Sequence, residues 1–363
     1  MYNKAIEVLK IFKKYGYDAY IVGGYPRDKM LGIKTNDIDI CTNAKPKEIM
    51  DIFDTEGISD IKYGAVKVIY KGVYFDVTTF RKDIKYENNR KPVKIKYVSD
   101  LKKDLLRRDF TINTMCIDSE GNLLDLLDAK KDIDKKMITT VGNPRYRLRE
   151  DSLRILRAIR FACTLNFDID DKVKLYIKKY GSLLKYLSYS RKKEELDKIF
   201  IAKYKEKGIK LILELGLDKY LELNNLDKIV LCDDIIGLWS QIDTTGNYPF
   251  SKIENDNIIK IRQMLTEGID NYTIYKYGLY VSAVVGSIKN ISYKKINDMY
   301  EKLPIYSRKE MVVNGKDIAK TLNREPGNYL KEILDDIEKK IIDKELKNDK
   351  DEIEKYITDE YGG

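Results

Sequence analysis

The strongest fold signal in this chain lies in residues 21–42, IVGGYPRDKMLGIKTNDIDICT. Asp37 and Asp39 lie in a strand-like run. Because successive side chains of a strand point to opposite faces, two aspartates separated by one residue project from the same side, and Ile38 packs inward. Two adjacent carboxylates repel each other unless a cation joins them, and oxygen ligands of this kind suit Mg²⁺. Asp-x-Asp is also common by chance, so the pair alone does not establish a metal site.

The segment before the aspartates strengthens this interpretation. Residues 20–22 predict a short buried strand, and Gly23 with Gly24 predicts a turn at which the backbone approaches a ligand. Pro26 is predicted to be the first residue of a helix, where its missing N–H costs nothing. A triphosphate would meet backbone N–H groups at this turn, with Arg27 as a charged clamp. The two segments together predict metal-dependent nucleotidyl transfer.

Composition limits the remaining possibilities. The chain has 363 residues, 43% hydrophobic and 35% charged, which predicts a soluble globular protein of two to four domains. The first 14 residues have the pattern of an amphipathic helix and no apolar run is long enough to span a membrane, so we expect a cytoplasmic protein without membrane contact. Histidine is absent and the four cysteines are widely separated, which argues against His-based catalysis, zinc sites and disulfides.

Positive charge is unevenly distributed. The formal net charge is +9, and residues 81–108 hold 11 Lys and Arg against 4 Asp and Glu. Such an excess indicates a polyanionic partner, although a solvated loop in a lysine-rich protein would look the same.

Two β-rich runs follow the aspartates. Residues 66–70 and 73–79 are joined by Lys71-Gly72, a plausible hairpin turn. Asp76 shares a face with Tyr74 and Thr78, so it is a candidate third carboxylate beside the first two. The alternatives are a polar residue of an edge strand or a partner for an arginine.

The rest of the chain has helical spacing after one further strand pair. The strand pair is predicted at 111–118 and 123–125. Apolar residues at steps of three and four then predict helices over the segments 153–165, 196–215, 258–265 and 330–342. Breaks are expected at 142–144, 224–225, 244–249 and 314–315, with Gly208 as a weaker candidate.

Five strings resemble, in order and spacing, the class II CCA-adding enzymes, bacterial tRNA nucleotidyltransferases of the polymerase β-like superfamily whose relatives include poly(A) polymerases. The strings are VGGYPRDKMLG at 22–32, NDIDICT at 36–42, FDVTTFR at 75–81, RRDFTINTM at 107–115 and REDSLRILRAIRFA at 149–162. Residues 313–327 resemble the tail of these enzymes, whereas residues 165–310 match only in helical character. Pro26 departs mildly from the branched aliphatic residue common at that position.

The resemblance implies an α+β fold, with a polymerase β-like head containing a mixed sheet and an elongated all-α neck, body and tail. The implied boundaries are 1–137 for the catalytic head, 138–203 for the base-recognising neck, and 204–300 and 301–363 for the tRNA-binding body and tail. The implied activity is Mg²⁺-dependent addition of CCA to tRNA from CTP and ATP, and no obligate protein partner is inferred. Asp37 and Asp39 match the family's metal ligands, Gly24 and Arg27 its phosphate-binding positions, and Arg108 a residue that contacts the incoming nucleotide.

The last string has its own chemistry. Arg154, Arg157 and Arg160 follow Asp151 at steps of three along one polar helix face. A carboxylate beside a guanidinium offers an acceptor next to donors, which complements cytosine and adenine but leaves unpaired groups against uracil and guanine. The resemblance therefore implies base recognition by Asp151 and Arg154. An ordinary helix whose arginines bind neighbours or RNA phosphate is the alternative.

Several activities share these motifs. A poly(A) polymerase and partial enzymes that add only CC or only A are the nearest alternatives. Residues 81–98 resemble a flexible loop that CC-only enzymes tend to lack, with Tyr86, Arg90, Pro92 and Val93 as its markers. A non-catalytic RNA-binding protein would not need paired carboxylates that repel phosphate. A nucleotidyltransferase acting on a small molecule would not need the base-reading helix.

Overall fold

The computed structural model describes residues 1–56, 63–87, 91–245 and 247–362, with the backbone alone described at 83–87 and 91–94. It divides into two compact units, Met1–Asn224 with Thr244–Pro249, and Asn225–Asp243 with Phe250–Gly363. Strands concentrate in the first 124 residues and helices form most of the remaining chain, so the predicted α+β class is confirmed. Among the described residues, no helix has the length and apolar character needed to cross a bilayer.

The strands are β1 (Ala19–Val22), β2 (Asp39–Thr42), β3 (Asp54–Glu56), β4 (Ala65–Tyr70), β5 (Val73–Thr79), β6 (Arg81–Glu87), β7 (Lys91–Tyr97), β8 (Cys116–Ile117), β9 (Leu123–Leu124), β10 (Met137–Ile138), β11 (Asp168–Ile169), β12 (Leu223–Asn224) and β13 (Asp243–Thr244). The helices of the first unit are α1 (Tyr2–Lys14), α2 (Gly24–Met30), α3 (Pro46–Ile52), α4 (Leu101–Leu105), α5 (Ala129–Asp134), α6 (Pro144–Glu150), α7 (Leu153–Leu165), α8 (Asp171–Tyr180), α9 (Tyr189–Phe200), α10 (Lys205–Glu214) and α11 (Asp218–Leu221). Those of the second unit are α12 (Ile235–Gln241), α13 (Lys252–Glu267), α14 (Asn271–Ile288), α15 (Tyr293–Glu301), α16 (Gly315–Thr321), α17 (Tyr329–Ile342) and α18 (Lys350–Tyr361). Short 3₁₀ helices occupy Thr111–Asn113, Gly181–Tyr186, Leu226–Lys228 and Arg308–Glu310.

A mixed sheet with the strand order β3-β4-β5-β2-β1-β8-β9 forms the scaffold of the N-terminal region. Strands β2 and β5 are parallel, and β1 pairs antiparallel with β2 and β8. The β4–β5 hairpin is confirmed. Its turn residues Lys71 and Gly72 have φ of 49° and 73°, the left-handed pair that a tight hairpin with native strand twist requires.

Helix α1 covers one face of this sheet. Its apolar stripe of Ala5, Leu9 and Phe12 is buried, as the sequence pattern predicts, and it packs in one cluster with Ile21 and Ile40 of β1 and β2. Burial of these side chains fixes the two strands that carry the glycine turn and the first aspartates. The close packing of α1 therefore supports the backbone of β1 and β2 next to the glycine turn and Asp39.

Three of the four predicted helical segments are confirmed, and the fourth, 196–215, is interrupted. Helix α7 has the bounds 153–165 that its apolar spacing predicts, and Asn143 caps α6 by accepting from the Arg145 N–H at 2.9 Å. In the second unit α13 and α17 contain the predicted segments 258–265 and 330–342. Ser251 caps α13 in a reciprocal box with Glu254, and Asn314 begins α16 in the same way with Asp317.

Four local predictions need correction, and the first concerns Asp37. Strand β2 begins only at Asp39, because β1 ends at Val22 and Gly23 then turns the chain away, leaving residues 37–38 without a partner strand. The alternation argument therefore applies to Asp39, while Asp37 lies before the strand with an exposed side chain. Ile38 is nevertheless buried, as expected.

The second and third corrections also concern element bounds. Helix α2 begins at Gly24, so Pro26 is its third residue, and its missing N–H is still one of the helix-start donors that have no partner inside the helix. The segment predicted as a strand at 111–118 starts as a 3₁₀ turn, because the Thr114 N–H donates to Thr111 O at 2.9 Å. Only Cys116–Ile117 pair as β8, with β1 and β9.

Gly208 does not break a helix. It lies inside α10, and the break in the predicted segment 196–215 falls at 201–204 instead. A Cβ at this position would lie 2.7 Å from Ile199 Cγ2 and 3.2 Å from Cys163 Cβ. The glycine therefore permits close packing of α10 against α7 and α9.

Candidate active site

The glycine turn brings the backbone against the first strand aspartate. Gly23 has φ of 82° and ψ of −129°, a conformation that side chains rarely adopt. A Cβ at Gly23 would lie 3.0 Å from Oδ2 of Asp39, the residue paired with Val22 across β1 and β2. The absence of a side chain at this position therefore gives the Asp39 carboxylate its space.

Asp76 stands beside Asp39 on the neighbouring strand. The two are register partners in the parallel β2–β5 pair, Asp39 half-buried and Asp76 exposed. The exposed Asp37 adjoins them before β2. The structure thus gathers the three predicted carboxylates at one end of β2, and Asp76 lies inside the sheet and not on an edge strand.

The electrostatics of this acidic group fit a divalent cation. Burial, and then the charges of Asp37 and Asp76, raise the pKa of Asp39 to about 6, while Arg108 acts in the opposite direction. Mutual repulsion is what a bound cation would relieve, and carboxylate oxygens are suitable ligands for a hard ion. Within the described ranges, no group of three or more Asp, Glu, Cys or His side chains is arranged so that it could hold a metal ion by itself.

Arg27 is held in a fixed position next to the turn. Its side chain is 8% exposed and binds Asp28 Oδ1 through Nε at 2.8 Å and Nη2 at 2.7 Å. Its Nη1 donates to Asn113 Oδ1 at 2.5 Å. The predicted phosphate clamp is therefore oriented in advance by two neighbours, one of them from the RRDFTIN string.

Arg108 is positioned by a carboxylate that the sequence did not single out. Asp104, fully buried at the end of α4, accepts from Arg108 Nη2 at 3.1 Å, from Arg107 Nε at 2.8 Å and from the Arg81 N–H at 3.1 Å. Burial opposes ionisation of Asp104, but the two guanidinium groups outweigh it and lower its pKa. Among the described residues, Arg108 Nε is buried without a hydrogen-bond partner.

A hydrogen-bonded chain joins Arg27 to the helix of the last string. Asn113 donates through Nδ2 to Asp109 Oδ1 at 3.2 Å, and Arg157 Nε donates to Asp109 Oδ2 at 2.7 Å. Burial opposes ionisation of Asp109, but Arg157 and the Phe110 N–H more than compensate and hold its pKa well below the usual range. Asp109, which follows Arg108 in the RRDFTIN string, is thus the bridge between the turn and α7.

Asp151 and Arg154, the predicted base-reading pair, differ in how far they are buried. Asp151 is half-buried between α6 and α7, accepts from the Leu153 N–H at 3.0 Å, and has its pKa raised by burial. Arg154, predicted on a polar face, is buried instead, and its Nη1 donates to Arg147 O at 2.9 Å and Glu150 Oε2 at 3.1 Å. The face is covered because α6 packs back against α7.

Arg160 ends this arginine series. Its Nη1 donates to Glu195 Oε1 at 3.2 Å, and Glu195 on α9 is buried. The arginines of α7 thus all bind acidic neighbours, as the alternative interpretation of the helix expects. The same contacts also orient guanidinium groups, so they are compatible with ligand binding.

Comparisons with known proteins cover this chain almost from end to end. The Poly A polymerase head domain matches residues 19–139, the "Probable RNA and SrmB- binding site of polymerase A" matches 166–226, and tRNA nucleotidyltransferase domain 2 matches 248–357. The CCA-adding enzyme of Bacillus cereus (strain 03BB102) is 32% identical over 391 residues, covering 99% of this chain and 98% of that protein. The chain belongs to the CCA-adding enzyme family. It is accordingly a tRNA nucleotidyltransferase.

Further members agree with this assignment. The CCA-adding enzyme of Ligilactobacillus salivarius (strain UCC118) is 32% identical, covering 96% of this chain and 94% of that protein. The solved Bacillus stearothermophilus CCA-adding enzyme in complex with CTP is 28% identical, has a TM-score of 0.86, and covers 99% of this chain and 97% of that one. The CCA-adding resemblance seen in the five sequence strings is therefore confirmed.

Sequence reasoning missed the residues that hold the family's charged groups in place. Asp104, Asn113 and Glu195 each bind an arginine of the site, and Phe161 contacts several of them. Asn113 and Phe161 lie inside matched strings, so their position in a motif was the available signal. Asp104 and Glu195 lie outside the five strings, and only their burial reveals them.

Proposed function

We propose that this chain adds C, C and A in order to the 3′ end of tRNA, taking nucleotides from CTP and ATP and releasing pyrophosphate. Membership of the CCA-adding family supports this activity. The structural observation that carries it is the placement of Asp39, which lies against the Gly23 turn, in register with Asp76 and next to Asp37. This grouping of carboxylates beside a glycine turn supports a site for a divalent cation and a triphosphate.

The metal of this site is proposed to be Mg²⁺. Asp37 and Asp39 would hold it, with Asp76 as a third catalytic carboxylate, and it would supply Lewis-acid activation of the 3′-hydroxyl and charge neutralisation at the phosphates. Gly23 and Gly24 are proposed to bring their backbone N–H groups to the phosphates. A Cβ at Gly23 would lie 3.0 Å from Asp39 Oδ2 and one at Gly24 3.3 Å from Arg27 Nη2, so the two glycines let these charged groups lie against the turn.

Two arginines are proposed to bind the triphosphate. Arg27 is held by Asp28 and Asn113, and Arg108 is held by Asp104 while its Nε has no described partner. A buried donor without a partner costs about 1–3 kcal/mol, which a phosphate oxygen would recover. The contacts with Asp28, Asn113 and Asp104 hold the positive charge of both groups in fixed orientations.

Base selection is proposed to lie with Asp151 and Arg154, supported by Arg157 and Arg160. Asp151 offers an acceptor for the amino groups of cytosine and adenine, whereas O4 of uracil and O6 of guanine would face it with a like-type group. Arg154 is buried in the free protein. Base recognition by this residue therefore requires that one N–H of its guanidinium group reach the base of the bound nucleotide.

The four-part division stays a proposal as well: head 1–137, neck 138–203, body 204–300 and tail 301–363. So does cytoplasmic location, which suits a tRNA-processing activity. Poly(A) addition and partial CC-only or A-only addition remain alternatives that use the same residues. The antiparallel strands β6 and β7 lie in the segment that CC-only enzymes tend to lack. The marker side chains at 86, 92 and 93 are not described, and residue 90 lies outside the described residues.

The experiment uses purified protein, Mg²⁺ and tRNA transcripts that end before C, after C, and after CC. Each NTP is supplied singly and in combination, and the product termini are sequenced. Ordered CCA addition with no further extension is expected. Long adenosine tails would select poly(A) polymerase, and arrest after CC would select the partial enzyme. Tight tRNA binding without any extension would select the non-catalytic RNA-binding alternative.

A further inference from the structure

Three arginines converge on one aromatic ring. The Cζ atoms of Arg27, Arg157 and Arg160 lie 5.3, 5.3 and 4.5 Å from the centroid of Phe161. The ring is 8% exposed, and Phe110 meets it edge-on at 5.7 Å with an interplanar angle of 80°. These distances lie within the range at which a guanidinium is attracted by an aromatic face.

Each of these arginines also has one acidic partner of its own. Asp28 binds Arg27 and Asp109 binds Arg157, each through an N–O distance of 2.7 Å or less, and Glu195 binds Arg160 at 3.2 Å. The latter two carboxylates come from the RRDFTIN segment and from α9. Each guanidinium is therefore held by two contacts of different kinds, hydrogen bonds to a carboxylate and attraction to the Phe161 ring.

Three cations near one another in a buried place repel. Burial, and then the charge of Arg157, lower the pKa of Arg160, with Arg27 contributing in the same direction. Further carboxylates would relieve this repulsion, but they would also repel the phosphates of a nucleotide. An uncharged ring attracts the guanidinium groups through its quadrupole without adding negative charge to the site.

We propose that Phe161 is a positioning residue for nucleotide binding, which uses one ring to orient the phosphate clamp Arg27 and the α7 arginines Arg157 and Arg160. This inference rests on the proposed function, in which those arginines contact the incoming CTP or ATP. Phe161 touches no substrate in this scheme. It sets the relative orientation of the groups that bind the phosphates and of those beside the base.

The first test changes the ring's electrostatics and keeps its shape. Phe161 is replaced by mono-, di- and trifluorinated phenylalanine, which weaken the negative ring face in steps. The dissociation constants of CTP and ATP are measured without tRNA and in the presence of Mg²⁺. We expect both to rise stepwise, reaching about 3- to 30-fold at the trifluoro ring, the range that cation–π contacts of this kind support.

Phe12 provides the matched control. It is fully buried in the same unit and packs against Phe53 at 4.9 Å, and no cation–aromatic contact is found for it among the described residues. The same fluorination series at Phe12 should leave nucleotide affinity within about twofold. A flat series at Phe161, or equal slopes at both rings, would overturn the inference.

Phe161→Leu gives a second readout by steady-state kinetics. We expect a larger rise in the KM for CTP and ATP than in the KM for tRNA, and Phe161→Tyr should recover most of the loss because it keeps the ring. Equal effects of both substitutions on both substrates would mean that Phe161 serves only the fold. Failure of the wild-type protein to bind CTP would instead refute the proposed function, and the two failures are thereby distinguished.

Discussion

Asp39 lies directly opposite Asp76 in the parallel pairing of β2 and β5. Parallel register partners lie close together across neighbouring strands, so two carboxylates 37 positions apart in sequence share one patch at the end of β2. Burial of Asp39 and the negative charges of Asp37 and Asp76 all disfavour the charged form of the Asp39 carboxylate and raise its pKa.

Asp39→Asn should abolish nucleotide addition and leave tRNA binding nearly unchanged. An amide cannot supply the negative charge that a divalent cation requires, so we expect a loss of about 10³-fold or more in kcat. Extension is measured on a tRNA ending before CCA, and tRNA affinity by filter binding. Asp54→Asn, an exposed aspartate on β3 of the same sheet, is the control and should extend normally. An active Asp39→Asn protein would contradict the metal assignment.

Activity should fall in acid as protons compete with the metal at Asp39. Because its pKa is raised to about 6 in the metal-free protein, the carboxylate is largely protonated below that pH. The apparent dissociation constant for Mg²⁺ is expected to rise about tenfold per pH unit below pH 6. Titration calorimetry between pH 5 and 8 measures it. A constant affinity over that range would show that Asp39 is not the titrating ligand.

The raised pKa of Asp39 also predicts that, without metal, this residue stabilises the folded protein less as the pH rises. The folded state holds the Asp39 proton up to about pH 6, whereas an unfolded aspartate loses it near pH 4, so the contribution of this group to stability falls as pH rises through that window. Asn carries no such charge. Asp39→Asn should therefore be more stable than the parent by about 2 kcal/mol at pH 7.5 without metal, and the difference should vanish at pH 4. Urea unfolding at both pH values measures it.

Gly23→Ala should damage activity beyond its effect on folding. The φ of 82° strains any side chain, at about 1–2 kcal/mol, and the added Cβ would meet Asp39 Oδ2 at 3.0 Å. Gly16→Ala is the matched control, since Gly16 has the same φ and nothing within 4 Å of its Cβ position. We expect both variants to lose stability through the positive φ, and a loss of activity only at Gly23, where the Cβ meets Asp39. Equal activities would exclude a role for the close approach.

Asp151→Asn should relax base choice more than it slows transfer. The amide presents a donor that O4 of uracil or O6 of guanine accepts, so discrimination against UTP and GTP should fall by about tenfold or more. The ratio of kcat/KM values for CTP and UTP measures this. Asp171→Asn, at an exposed position in the first turn of α8, should leave the ratio unchanged. Unaltered selectivity in Asp151→Asn would remove Asp151 from base recognition.

Local chemistry alone determined much of this protein. The strand before the glycine turn, the hairpin at Lys71-Gly72 and the bounds of α7 follow from side-chain periodicity and from the left-handed backbone that particular turns require. The motif strings likewise pointed to nucleotidyl transfer before any contact was known. These features depend on residues within a few positions of one another, which is the range over which a sequence pattern is informative.

Tertiary structure decided what joins those pieces. The register of β2 with β5 placed Asp76 beside Asp39, and the return of α6 onto α7 buried Arg154, which sequence periodicity had put on a polar face. Packing also explains why a glycine lies inside α10 at position 208, since a Cβ there would meet Cys163 of α7 and Ile199 of α9. The Asp39–Asp76 pairing links distant parts of the sequence, and the nearer contacts of Arg154 and Gly208 likewise depend on how whole elements pack. A pattern of neighbouring residues carries no measure of those distances, so only the folded chain sets them.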